Sequence, residues 1–254
     1  MKRLVLMVAF VATIFTAQAW TGLLNKASYI IAKKYMTPQA RAEYDRIWAY
    51  HKNMELKWTL DKDARAILNA DLQSVTTDEK DIVVRLEKAI DVIRNRANYS
   101  EQEQFVALYE IKHLIVELHT MSRIGIEGKE HSQHDFEFTW TAGKEGSKKY
   151  EKRGRVTWHK LWSSNFCFWH QAWSSEYYAY DIDLRFKKLH EEAMKGDVRD
   201  WAHQIGLRAK PLYEWAKPDM VLSYEPRLNL EDLHLEMVGT AGYRLAAIMN
   251  TITK

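Results

Sequence analysis

The chain has 254 residues, 37 basic against 34 acidic side chains and a formal net charge of +3, which gives no large positive field of the kind that steers proteins to nucleic acid. Its single cysteine, Cys167, excludes an internal disulfide framework. Ten Trp, thirteen Tyr and eight Phe supply large buried area per side chain, and only ten Gly and four Pro favour long helices over a turn-rich sandwich.

The first element is an export signature. Lys2 and Arg3 form a basic start, Leu4 to Phe15 an apolar run, and Ala17-Gln18-Ala19 a small-residue cleavage site. Residues 1–19 therefore read as a signal peptide cut before Trp20, with a periplasmic or extracellular destination. The apolar run is too short to span a bilayer as a helix. Losing Lys2 and Arg3 lowers the formal charge from +3 to +1. Cleavage would make Trp20 the amino terminus, where an α-amino group beside a carbonyl can chelate a metal; packing in the core is the alternative role for the same residue.

Residues 20–254 read as one helical domain. Leu23, Leu24, Ala27, Ile30 and Ile31 recur at helical spacing. Thr37-Pro38 is a helix start, and helix formers continue to Trp48. Residues 49–77 carry no assignable period. Asp78 to Arg96 sets Ile82, Val83, Leu86, Ile90 and Ile93 on one stripe, and Ser100 with Glu103 forms a capping box ahead of Phe105, Leu108, Ile111, Ile115 and Leu118. That helix is expected to run to about residue 123. Across residues 125–158 the period breaks: Phe136, Phe138 and Trp140 alternate like a short strand, and Gly143 to Arg155 reads as an exposed loop or hairpin. Helical patterns resume near Ser174, at Val198 to Trp215 and at Leu230 to Ile252. No repeat or long linker divides the chain.

Two places carry candidate chemistry. His113 and Glu117, four residues apart, project from one helix face, a spacing at which an imidazole and a carboxylate can share a cation. Thr157-Trp158-His159-Lys160-Leu161-Trp162-Ser163 sets His159 among aromatics. A surface i,i+4 contact and a packing histidine are the alternatives that these local patterns leave open.

Taken together and in order, four segments resemble the zinc-dependent S1/P1 nuclease family, related to the zinc phospholipases C, over nearly the whole of residues 20–254. The family opens with Trp-Gly-x-x-Gly-His, and the similar segment here is Trp20-Thr21-Gly22-Leu23-Leu24-Asn25, with Asn25 at the histidine position. His-x-x-Gly-Asp-x-x-Gln-Pro-x-His resembles His113 to Arg123, with Glu117 in place of aspartate and Arg123 in place of the last ligand. Asn-Leu-His-x-x-Trp-Asp resembles Thr157 to Ser163, keeping His159 and Trp162 and putting Ser163 at the aspartate. Asp200-Trp201-Ala202, Leu222-Ser223-Tyr224, Ala241 to Ala246 and Asn250 resemble the closing helices, and Ser132-Gln133-His134 stands where the family has Gly-Gly-Asn. Between residues 49 and 77, Asp61 after Trp58 is the candidate for a further aspartate ligand, and no histidine fits.

The resemblance implies a multi-helix bundle of the zinc phospholipase C type with a β-hairpin or loop insertion around 130–158. It also implies a cluster of three zinc ions that activates water against a phosphodiester. The donors it leaves are Trp20, His113, Glu117 and His159, with Glu117 in the bridging, catalytic position. Asn25, Arg123 and Ser163 are poor ligands, and a guanidinium has no lone pair to give. Arg123 is therefore expected to pair with Glu117, and fewer than three zinc ions are expected. The expected function is an exported S1/P1 nuclease-like protein with a degenerate zinc site, weak or inactive as a phosphodiesterase and acting by binding, with single-stranded nucleic acid or nucleotides as partner. One alternative is an active metal-dependent endonuclease or 3′-nucleotidase with a rewired metal set, recruiting His119, His131 or His134. Another is a structural helical protein of the envelope.

Overall fold

The computed structural model describes residues 20–53, 64–69, 71–72, 78–127, 137–141, 153–168 and 172–252, and most of them are helical. Residues 1–19, Asp61, His131, His134 and Phe136 lie outside the described residues. Helix α1, Gly22–Tyr35, buries Leu24, Ala27, Ser28, Ile31 and Ala32, the face its three- and four-residue spacing defines. Helix α2, Pro38–Ala49, starts where Thr37 Oγ1 accepts from Ala40 N at 3.1 Å and proline occupies the first turn.

Helix α3, Ile82–Arg94, begins later than the apolar stripe suggests, because Asp81 is its cap. One Asp81 oxygen accepts from Val83 N at 2.7 Å and the other from Ile67 N at 2.9 Å, so a single buried carboxylate ties the helix start to strand β1, Ala66–Leu68. Helix α4, Glu101–Leu118, carries the Ser100/Glu103 capping box.

The end of α4 corrects the expectation of a helix to residue 123. It stops at Leu118, and Met121–Arg123 form a 3₁₀ turn. The cause is local competition for the last carbonyls: His119 Nδ1 lies 2.6 Å from Ile115 O, and Thr120 Oγ1 donates to Val116 O at 2.9 Å. Tyr213 then clamps the turn by donating to both Met121 O and Ile124 O. Strand β2, Ile124–Ile126, leaves the turn and pairs in parallel with β1, Ala66 opposite Ile124.

Strand β3, Glu137–Thr141, falls where the alternation suggests a strand; it pairs antiparallel with β4, Arg153–Thr157, Phe138 opposite Val156, so Arg153 to Arg155 are strand at the end of the segment expected to be a loop or hairpin. A third strand, β5, Val221–Leu222, joins β3 in parallel. Short helical turns, Trp158–Lys160, Leu161–Asn165 and Phe166–Phe168, follow β4. Helices α5 (Ser175–Phe186), α6 (His190–Ala193) and α7 (Val198–Trp215) come next, α7 opened by an Asp197/Asp200 capping box.

Helix α8, Tyr224–Thr251, begins before Leu230 and packs on α1, α5 and α4. A Cβ at Gly242 would lie 2.7 Å from Ser28 O and 3.0 Å from Ile31 Cβ, so the approach of α8 to α1 requires glycine there. Asn250 stitches the same region, accepting from Thr37 N at 2.8 Å and donating to Tyr35 O at 3.1 Å. The buried apolar residues form one contiguous cluster from Trp20 to Ile252. No helix among the described residues is long and apolar enough to cross a membrane.

Candidate functional site

The last two turns of α4 place His113 and Glu117 on one face, with Glu117 1 % exposed. His113 Nε2 stands 3.7 Å from Glu117 Oε1, and Arg123 Nε stands 2.9 Å from Glu117 Oε2. The end of the helix at Leu118 makes the second contact reachable. In a continuing helix, six residues advance about 600°, which would turn Arg123 well away from Glu117; the 3₁₀ turn folds it back. Arg123 is itself 3 % exposed, so two opposite charges are buried against each other.

The floor of this region is aromatic and basic. Tyr29 donates to Lys112 O at 3.2 Å, and burial, with the charges of Tyr109 and Glu117, pushes its hydroxyl far above the usual range. Lys112 has its Nζ 3.1 Å from the Trp48 ring centroid and 4.3 Å from that of Tyr29. Burial, aided by Lys33, lowers its amine to about 7. Sequence reasoning missed Lys112. Its signal was a lysine in the apolar stripe, four residues after Leu108 and three before Ile115.

His159 reaches the same neighbourhood through one intermediary, its Nδ1 lying 3.1 Å from Ser122 Oγ, the residue before Arg123. Ser163 is half-buried in the Leu161–Asn165 turn. Trp20 is fully buried and its ring meets His234 edge-on at 5.8 Å. His234 also lies 5.9 Å from Trp162 and 4.9 Å from Phe166, so it links the start of α1 to the segment holding His159. Burial takes the His234 imidazole down to about 3 and keeps it neutral. Asn25 turns back on Trp20, donating to its carbonyl at 3.1 Å.

These positions fix what the donors can do. His113 and Glu117 come together, but one carboxylate oxygen faces a fixed positive charge, and a zinc ion placed between them would meet that charge at close range. Among the described residues, no three His, Cys, Asp or Glu side chains form a group able to hold a metal ion. Among the described residues, His113, Glu117 and His159, with Arg123 set against the carboxylate, do not make up the donors of a zinc cluster. His119 is no replacement, which corrects that part of the rewired-site alternative. Its Nδ1 faces Ile115 O and its Nε2 accepts from Arg244 Nη1 at 2.9 Å, so the ring's lone pair is engaged. Burial and the Arg244 charge hold its pKa well below the usual imidazole range.

No protein-family model matches the chain, and no curated protein matches it.

Proposed function

We propose that the protein is an exported member of the S1/P1 nuclease type in which a guanidinium has taken over the charge once supplied by metal, and that it acts by binding rather than by phosphodiester hydrolysis. The observation that carries this reading is the 2.9 Å contact between Arg123 Nε and Glu117 Oε2 inside the protein. It lies where the resemblance puts a bridging carboxylate and a metal ligand. Further support comes from the helix order, from the hairpin ahead of the His159 segment, and from the close α1–α8 approach at Gly242. Single-stranded nucleic acid or nucleotides are the ligand class that the resemblance implies.

A metal cluster lowers the barrier to phosphodiester attack by stabilising both the attacking and the leaving oxygen. A single arginine already committed to a carboxylate does neither. Glu117, neutralised in this way, is also a poor general base. The test is to incubate the mature protein with single-stranded DNA, RNA and 3′-nucleotides, following product formation and, separately, fluorescence anisotropy of a labelled oligonucleotide. Binding with little or no hydrolysis is expected. Robust hydrolysis abolished by a chelator would put the enzyme reading first.

A further inference from the structure

Arg244, on α8, is buried with no anionic partner among the described residues. It is 3 % exposed, and its guanidinium donates to Ala193 O at 3.2 Å, to His119 Nε2 at 2.9 Å and to Gln204 Oε1, all neutral acceptors. Its Cζ lies 5.3 Å from the Trp201 ring centroid. Among the described residues, no carboxylate comes within ion-pair distance of it. An arginine buried among neutral groups bears a desolvation cost that hydrogen bonds only partly offset, and that cost draws its pKa down to about 9.

The same arginine lines a pocket of about 350 Å³ between α6, α7 and α8, walled by Leu189, Ile205, Leu207, Met237 and Thr240. Two carboxylates also line it, but each has its own cation: Glu192 pairs with Lys195 at 2.6 Å and Glu236 with Arg208. Arg208 also lines the pocket and serves Glu236, so among the described residues Arg244 is the lining cation with no carboxylate of its own, at the wall of a mostly apolar hollow. Small-ligand sites combine apolar walls with few convergent polar groups, from about 300 Å³ upward.

We propose that this pocket binds a small apolar carboxylate whose acid group pairs with the Arg244 guanidinium while its hydrocarbon body lies against Leu189, Ile205 and Met237. The guanidinium spends three of its five N–H groups on protein acceptors, which leaves donors for an anion. The inference is independent of the Glu117–Arg123 site and would survive the loss of that reading.

The experiment is calorimetric titration of the full mature chain with sodium octanoate, with octanol as the neutral analogue and acetate as the anion without a body. Octanoate should bind saturably at one site. Octanol and acetate should each bind at least about tenfold more weakly, the value of one charge-assisted hydrogen bond or of the lost apolar contact. Arg244→Gln should weaken octanoate by at least the same factor. Because that substitution also disturbs the His119 contact, Leu207→Glu provides a second test. Leu207 is 53 % exposed, so the fold tolerates the change, and the new carboxylate at the rim should repel the ligand severalfold. Equal binding of octanol and octanoate, unchanged affinity in Leu207→Glu, or no saturable heat would each overturn the proposal.

Discussion

Replacing Arg123 by alanine isolates the contact on which the functional reading stands. The substitution leaves Glu117, at 1 % exposure, without the cation 2.9 Å away. His113 Nε2 at 3.7 Å is too distant for a hydrogen bond. Breaking a buried pair from one side costs about 3–5 kcal/mol, because the remaining carboxylate keeps its desolvation penalty while losing its nearest charge. At about 2–4 °C per kcal/mol for a chain of this size, Tm should fall by roughly 6–20 °C. Removing both charges together should behave differently: Glu117→Met with Arg123→Met should fall within about 1 kcal/mol of the wild type, since apolar replacement of a buried pair is near neutral or stabilising. Denaturant titration of the wild type, Glu117→Met, Arg123→Met and the double variant gives the coupling energy directly. If Arg123→Ala costs less than about 1 kcal/mol, as an exposed ion pair would, the pair is not a buried electrostatic unit and the substitution argument fails.

Lys112 offers a pH-dependent test. Its folded-state pKa is lowered to about 7, against 10.5 for an ordinary lysine, so between those values the unfolded chain binds more protons and wild-type stability should rise with pH. Lys112→Met should therefore stabilise most below pH 7, and its advantage should shrink toward pH 10; an advantage constant with pH, or none, would mean that the Trp48 face offsets the desolvation. Gly242→Ala should destabilise by about 1–3 kcal/mol in thermal melts, because its Cβ meets the Ser28 carbonyl at 2.7 Å. A neutral Gly242→Ala would mean that α1 and α8 separate at little cost.

Local chemistry made most of the helices legible. Thr37-Pro38, Ser100 with Glu103, and the stretch Val198–Trp215 all mark helix boundaries that the structure has. The end of α4 was not legible, since no glycine or proline stands between Leu118 and Gly125; His119 and Thr120 stop the helix by turning their own side chains to its carbonyls. The strands β1, β2 and β5 are three, three and two residues long, too short for a period, and their partners are remote in sequence. The Glu117–Arg123 contact could be anticipated from the two residue types, but its geometry depends on the helix end that no glycine or proline marks. Arg244 lies in a segment that reads as scaffold, and its bond to His119 joins residues 125 apart, beyond the reach of any local pattern.

The most direct test of the central claim is zinc stoichiometry, measured by elemental analysis on the purified wild type and on a variant carrying the residues of the S1/P1 pattern, Asn25→His, Glu117→Asp, Arg123→His and Ser163→Asp. The account predicts fewer than three zinc ions per wild-type chain and a higher occupancy in the variant. Three zinc ions held by the unmodified protein would contradict it.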